Sequence, residues 1–304
     1  MNDKNLQYFL AVSEEHSIST AARKLFIAQP SLSQAIKRLE DSVGEPLFKR
    51  TGSGLQLTNI GEQFYAAAVQ TEKIWQNFSM NLTAPDDLKE GTLSFGIVFQ
   101  LGLKILPQIL IQFNQKFPKI NCNVYDKNHI ELEKSLLSGE LDLAVTHIQN
   151  HQERPSLSYD CFLRDPFVVI ASLKRDCSRF LTDSPNGPMV HLEQLEEEKF
   201  IYPKKENQSR HIIDSVLAKC NILYPKEYLV NNQYETIQAL VEADLGIGIL
   251  PKSYLSPSMA LQVFHIPEEY EAYWDFCIVT RKYYSLNYIE DCFVRIAKES
   301  CLGL

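Results

Sequence analysis

No apolar run in this 304-residue chain reaches the roughly 18 residues that span a bilayer. The opening Met-Asn-Asp-Lys-Asn lacks the basic and apolar halves of a secretion signal, so a cytoplasmic location is the expectation. Cys-x-x-Cys pairs are missing, as are histidine pairs at zinc spacing. The seven cysteines, at 122, 161, 177, 220, 277, 292 and 301, are scattered and odd in number, which argues against a disulfide scaffold and against a metal site. Each is expected to be a free, apolar-like side chain, with a redox-sensing thiol as the alternative. Catalytic signatures are lacking too. There is no Gly-x-Ser-x-Gly elbow, no His-Glu-x-x-His, no phosphate-binding glycine loop and no dinucleotide fingerprint, so neither an enzyme nor a bound cofactor is expected.

An excess of positive charge is also missing. The net charge is −8, which excludes a chain coated for any polyanion, but the charge is unevenly placed. Residues 1–60 carry seven Lys and Arg against six acids, a balance of +1, which leaves −9 on the remainder. The cations gather at 37–38 and 49–50, a local footprint suited to phosphates. Hydrophobic residues at 45% and charged residues at 22% fit a folded globular chain, and the length suggests two or three domains.

What is present is organised around His16 to Gly44, which reads as two short helices joined by a tight turn. Ser19 to Phe26 offers Ala21, Ala22 and Leu25 for a close helix crossing. The second helix starts near Gln29 with Pro30 in its first turn, where a missing N–H costs nothing, and ends at Gly44. Leu32, Ala35, Ile36, Leu39 and Val43 recur at steps of three and four and form the face expected to be buried. Ser31, Ser33, Gln34, Lys37, Arg38 and Asp41 point the other way, and hydroxyls, an amide and cations are groups that reach base edges and phosphates. Leu6, Phe9, Leu10 and Ser13 place a further helix over the pair.

Pro46 to Arg50 and Leu55 to Leu57 then read as a short hairpin, a wing with Lys49, Arg50 and Thr51 at its tip. Thr58 caps a helix of about 25 residues in which Ile60, Phe64, Ala67, Thr71, Ile74 and Phe78 form a heptad seam. A seam that a small winged domain does not need predicts homodimerisation through residues 59–83, against the alternative of a helix packed on its own body. Residues 84–91, with a proline, acids and a glycine, read as a hinge.

Beyond the hinge, strands alternate with helices. Strands are expected at 92–98, 120–125, 141–146, 157–163, 167–172, 200–202, 227–231, 246–250 and 274–280, with a break at Asp165–Pro166. Helices are expected at 103–117, 130–138, 209–220, 234–243 and 286–297. The last strand and helix return to the first lobe, which makes a clamshell with two crossings and a cleft at the carboxyl ends of the strands.

The order of parts resembles the LysR-type transcriptional regulators over essentially the whole chain. The resemblance rests on Phe9, Ser17, Ala21-Ala22, Leu25, Ala28 to Ser33, Ile36, Leu39-Glu40, Gly44, Leu47-Phe48, Arg50, Leu57-Thr58 and Gly61. It continues in Leu106-Pro107, Phe113 to Pro118, Gly139 to Ala144 and Gly246 to Pro251. It implies a winged helix-turn-helix head (1–58), a linker helix and hinge (59–90), and a periplasmic-binding-protein-like α/β effector domain (91–304), its lobes at about 91–164 with 268–304 and 165–267. It also implies duplex DNA and a small-molecule effector as partners, and a homodimer, usually doubled to a tetramer.

Carried onto this sequence, the resemblance has Gln29, Pro30, Ser33 and Gln34 meeting base edges, while Ser31, Lys37 and Arg50 hold phosphates or the minor groove. Gln34 stands where relatives often have arginine, and glutamine prefers adenine where arginine prefers guanine. The effector is expected against Phe99, Gln100, Leu101, Thr146, His147, Ile148, Tyr202, Lys204 and the strand that carries Gly246, Ile247 and Gly248, with His147 and Lys204 as sources of positive charge. Phe99-Gln100 replaces the serine or threonine with which many relatives hold a carboxylate. The competing reading is a cleft-binding assembly protein whose winged head no longer reads DNA.

Overall fold

The computed structural model describes residues 3–302 apart from 53, 82–89, 150–152, 185–186, 223–225 and 231–232, so most of the expected hinge and Asn231 lie outside the described residues. Helices α1 (Asp3–Glu15), α2 (Ile18–Lys24) and α3 (Gln29–Val43) form the head. The Ser17 hydroxyl accepts the Thr20 N–H and caps α2, and Gly44 closes α3 in the left-handed conformation at φ 85°. Leu6, Phe9, Leu10, Ala21, Ala22, Leu32, Ile36, Leu39 and Leu47 pack into one core. Val43 does not join them. It is 37% exposed, because Gly44 ends the helix before a fifth turn can reach the core.

The wing is an antiparallel pair, β1 (Phe48–Thr51) and β2 (Gly54–Leu57). From it the chain enters α4 (Asn59–Asn81), whose Gly61 N–H is capped by the Thr58 hydroxyl at 2.9 Å. Two faces of α4 meet protein: Phe64 turns into the head core, edge-on to Phe9 at 4.8 Å, and Gln70 and Lys73 reach the body. The Gln70 amide donates to Leu137 O at 2.5 Å and Lys73 pairs with Asp142 at 2.6 Å. Ala67, Thr71, Ile74 and Phe78 stay exposed, Ile74 by 61% and Phe78 by 53%, beside Trp75 at 60%.

In the body, β3 (Gly91–Ile97), β4 (Ile120–Asp126) and β5 (Leu143–Ile148) are parallel, with α5 (Phe99–Lys116) and α6 (His129–Ser138) as crossovers. Helix α5 starts four residues before the expected 103, since Val98 already serves as its cap. Strand β6 (Leu157–Ser172) is one continuous element where two were expected. It does not break at Asp165–Pro166 because it changes partners there. Its first half pairs with β13 (Tyr273–Arg281) and its second half with β11 (Ile247–Pro251) and β12 (Leu261–His265). Pro166 sits opposite Tyr273 at the end of the β13 ladder, where a missing N–H is tolerated.

Strand β8 (Met189–Val190) pairs with β12, and β7 (Leu181–Thr182) pairs with β8. Strands β9 (Lys199–Tyr202) and β10 (Lys226–Val230) run parallel to each other, and β11 runs parallel to β9. Helices α7 (Gln208–Lys219) and α8 (Tyr234–Glu242) cover them, and α9 (Tyr288–Cys301) closes the first lobe. Each lobe has its own core, one around Phe95, Phe113, Phe276 and Phe293, the other around Phe167, Phe200, Tyr202 and Trp274. The chain passes between them twice, in the middle of β6 and at the start of β13.

The expectation that every cysteine is free is corrected by the ladder. Cys161 on β6 and Cys277 on β13 are register partners 4.0 Å apart at Cα and are joined as a disulfide. Cys177, Cys220, Cys292 and Cys301 are free and buried, and Cys122 is free and half-buried.

Glu290, 3% exposed in the first turn of α9, accepts from the Asn287 N–H at 2.9 Å and the Tyr284 hydroxyl at 2.7 Å. Burial pushes its carboxyl up from 4.5 to about 7. The folded value is above the unfolded one, so the stability it adds is complete below pH 4.5 and is lost as the pH rises through about 7. Glu290→Gln keeps both partners with the amide oxygen toward Asn287. It is expected to remove a fall of roughly 3 kcal/mol between acid and alkaline pH, read from urea titrations at a series of pH values.

Candidate DNA-reading face and candidate effector cleft

Glu40 fixes the wing against α3, for its carboxylate accepts the backbone N–H groups of Leu47 at 2.8 Å and Phe48 at 3.1 Å. The wing is also tied to the turn after α1 by Leu55 N–H donating to His16 O at 2.9 Å. With Leu32, Ile36 and Leu39 turned inward, Gln29, Pro30, Ser31, Ser33, Gln34, Lys37 and Arg38 all lie exposed on α3. Arg50 is exposed beside them on the wing. Thr51 is half-buried, its hydroxyl donating to Gly54 O at 3.0 Å. The expected residues therefore share one surface, a helix flanked by a hairpin, which has the dimensions to enter a major groove while the wing lies over the backbone. Phe26, expected to end the first helix of the pair, lies beyond α2 in the turn before α3, at φ 55° and 96% exposed.

The effector candidates do not all come together. Thr146, His147 and Ile148 end β5, and all three are buried. His147 stacks on Trp274 with ring centres 3.6 Å apart and has the Gln208 side chain, from the start of α7, within hydrogen-bonding reach. Burial lowers its pKa to about 3, so His147 is neutral and supplies no positive charge to the cleft, contrary to expectation. A cation at the lobe boundary is Lys104, one turn beyond Gln100: its Nζ donates to Leu255 O in the other lobe at 2.8 Å, and burial pulls its pKa down. Gln100 makes a second bridge, to Glu235 on α8 at 3.4 Å. Phe99 is 53% exposed, whereas Leu101 is fully buried in the first lobe's core.

Tyr202 is buried at the carboxyl end of β9 with the Arg210 guanidinium 4.3 Å above its ring, and Lys204 is exposed just beyond it. Gly246, Ile247 and Gly248 lie elsewhere. A Cβ on Gly246 would come 2.6 Å from Lys199 O, at the opposite end of β9 from Tyr202. Ile247 is 1% exposed in the second lobe's core, and Gly248 packs against Ile170 and Val241. Close packing of two strands and a helix, not ligand access, explains these glycines. A surface cavity of about 370 Å³ lies at that same remote end, lined by Arg175, Glu198, Lys199 and Asp244, and Arg175 pairs with both Glu198 and Asp244.

The residues that sequence reasoning missed gather around Trp274, the ring on which His147 stacks. Trp274 donates to Asp165 at 2.8 Å, and Asp165 also accepts from the backbone and hydroxyl of Ser253 at 3.0 and 2.7 Å. Burial raises the Asp165 pKa against the pull of those three bonds. Tyr254 lies 5.7 Å from Trp274 and 5.0 Å from Tyr234, whose hydroxyl donates to Ser209 at 2.8 Å. Among the described residues, His147 Nδ1 and the Tyr254 hydroxyl are buried polar atoms that meet no hydrogen-bond partner, the kind of group a bound polar molecule satisfies.

Comparison with known proteins agrees with this architecture. The family described as LysR substrate binding domain matches residues 86–302, and the bacterial regulatory helix-turn-helix proteins of the lysR family match residues 4–62. The transcriptional regulator AlsR of Bacillus subtilis is 28% identical over 256 residues, 83% of this chain and 81% of that protein. CysL of the same organism is 25% identical over 264 residues, 86% of this chain and 85% of its own. Among solved structures, a full-length OxyR variant from Pseudomonas aeruginosa superposes with a TM-score of 0.68 at 19% identity, covering 99% of this chain and 94% of that one. CbnR complexed with its target DNA gives 0.54 at 19% identity, covering 99% of both chains. A helix-turn-helix head with its reading face exposed, joined to a two-lobed effector-binding body and matched by these profiles along nearly its whole length, makes the chain a member of the LysR-type transcriptional regulators.

Proposed function

We propose that this regulator reads duplex DNA with Gln29, Pro30, Ser33 and Gln34 at base edges and with Ser31, Lys37, Arg38, Arg50 and Thr51 at phosphates and the minor groove. The observation that carries this assignment is the exposure of the whole polar face of α3 beside the wing. In this reading two copies pair through the seam of α4, where Ala67, Thr71, Ile74 and Phe78 lie open, and two such dimers assemble on DNA in the cytoplasm. The chain acts by binding and not by catalysis. A small molecule enters between the lobes at His147, Trp274, Tyr254 and Lys104, and it works through different affinities for two arrangements of the assembly. His147 being neutral, recognition there rests on hydrogen bonds and aromatic stacking, with Lys104 as the cation.

The test is binding of the purified protein to DNA upstream of its own gene, across salt, against a scrambled duplex of equal length. Gln34→Ala is expected to cost about 1–3 kcal/mol on the selected site and nothing on the scrambled one. Lys37→Ala is expected to weaken both duplexes and to flatten the salt slope by about one. Equal losses on both duplexes from Gln34→Ala would overturn the base-reading role.

A further inference from the structure

The two passages between lobes are not independent, since β6 and β13 are hydrogen-bonded to each other through the crossing. Tyr273 pairs with Pro166, Trp274 with Asp165 and Asp275 with Arg164, after which the ladder continues into the first lobe. Any change in the angle between lobes must therefore twist this one ladder. The ladder carries an irregularity: Phe276 faces Leu163 but Cys277 faces Cys161, so Phe162 is an extra residue on β6. A bulge of this kind is where an antiparallel pair bends most readily. The disulfide between Cys161 and Cys277 closes directly across it.

The backbone pre-places both thiols. Asp160 pairs with Ile278 on one side and Leu163 with Phe276 on the other, so flanking backbone pairs as well as the bond set the two cysteines opposite each other. Cys161 is exposed whereas Cys277 is fully buried, so Cys161 is the member of the pair that a solution thiol or disulfide meets first.

We propose that Cys161 and Cys277 form a thiol–disulfide switch that sets the stiffness of the interlobe hinge. In the oxidising direction a low-molecular-weight disulfide is the electron acceptor. The Cys161 thiolate attacks one of its sulfurs and expels a thiolate, forming a mixed disulfide. The Cys277 thiolate then attacks the Cys161 sulfur and expels the second thiolate. Two protein thiols are oxidised, one external disulfide is reduced to two thiols, and the two protons pass to the departing thiolates. A small external dithiol reverses the sequence by attack on the exposed Cys161 sulfur. Closed, the bond pins the bulge and fixes the pairing of the two crossing strands. Open, the ladder can bend at Phe162.

The full-length protein is treated with oxidised glutathione or with dithiothreitol, alkylated and mapped by mass spectrometry, and hydrogen exchange is followed over residues 158–166 and 273–280. The expected result is one linked peptide pair joining 161 and 277 after oxidation, its release by native dithiothreitol, and exchange in both segments about tenfold slower in the oxidised form. Cys161→Ser is expected to exchange at the reduced rate under either treatment, and Cys122→Ser to switch as the parent does. A circular-dichroism melt confirms that both variants fold, and Cys161→Ala serves if the serine variant does not. Free alkylation of both cysteines after oxidation, a bond that resists native dithiothreitol, or equal exchange in the two states would each overturn the switch.

Discussion

Gly61→Ala is expected to destabilise the winged head by about 3 kcal/mol and to abolish DNA binding at concentrations where the parent binds, while the body keeps its own unfolding transition. At Gly61 the first turn of α4 lies directly on the backbone where the chain enters the wing, and an added Cβ would overlap the carbonyl oxygen of Leu47. That carbonyl cannot move freely, since it already accepts the Thr58 N–H at 2.9 Å and Leu47 itself is held by Glu40. Relief must come from lifting α4, which separates Phe64 from Phe9 and breaks the cap that Thr58 places on the helix. Two transitions in a urea titration, with only the earlier one shifted, would bear this out. An unshifted first transition would show that α4 accommodates a methyl group and that the head is looser than this packing implies.

Trp274→Ala is expected to cost the body about 4 kcal/mol, the range for a large aromatic removed from a packed core. Trp274 is 1% exposed, meets Phe167, Tyr254 and His147, and supplies one of the three donors to the buried Asp165. The loss therefore combines a cavity with a weakened anchor at the lobe crossing. Trp274→Phe keeps most of the ring and removes only the donor, and a loss of about 1–2 kcal/mol is expected from it. The histidine reports the same event. With its stacking partner gone and water admitted, the His147 pKa should climb from about 3 toward its ordinary 6.5, measured by nuclear magnetic resonance titration of the imidazole. A resonance that stays untitrated near neutral pH in the alanine variant would mean that other neighbours keep His147 dry.

The polar face of α3 proposed to read DNA was legible because it depends on local rules. A period of 3.6 separates Leu32, Ile36 and Leu39 from Ser33, Gln34 and Lys37, and Gly44 supplies the positive φ that ends the helix. The candidate effector cleft was legible only in outline. Thr146 and His147 were placed at a strand end, but Trp274 and Gln208, which meet His147, and Tyr254, which packs on Trp274, come from distant parts of the chain, and no periodicity joins them. Gly246, Ile247 and Gly248 show the same limit from the other side. Glycine in a strand signals close approach, but sequence does not say whether a ligand or a neighbouring backbone approaches, and here Lys199 O does.

By itself, then, the sequence determined the order of parts and the buried and polar faces of α3, because helix periodicity, caps and turn residues act within a few positions of one another. It did not show that Phe64, read as part of a dimer seam, packs against Phe9 in the head instead. The tertiary structure alone decided that β6 runs unbroken between lobes, that Cys161 lies opposite Cys277, and that His147 is buried and neutral against Trp274. Those outcomes depend on strand register and on desolvation by groups more than a hundred residues away, and neither leaves a mark on the local pattern of residues.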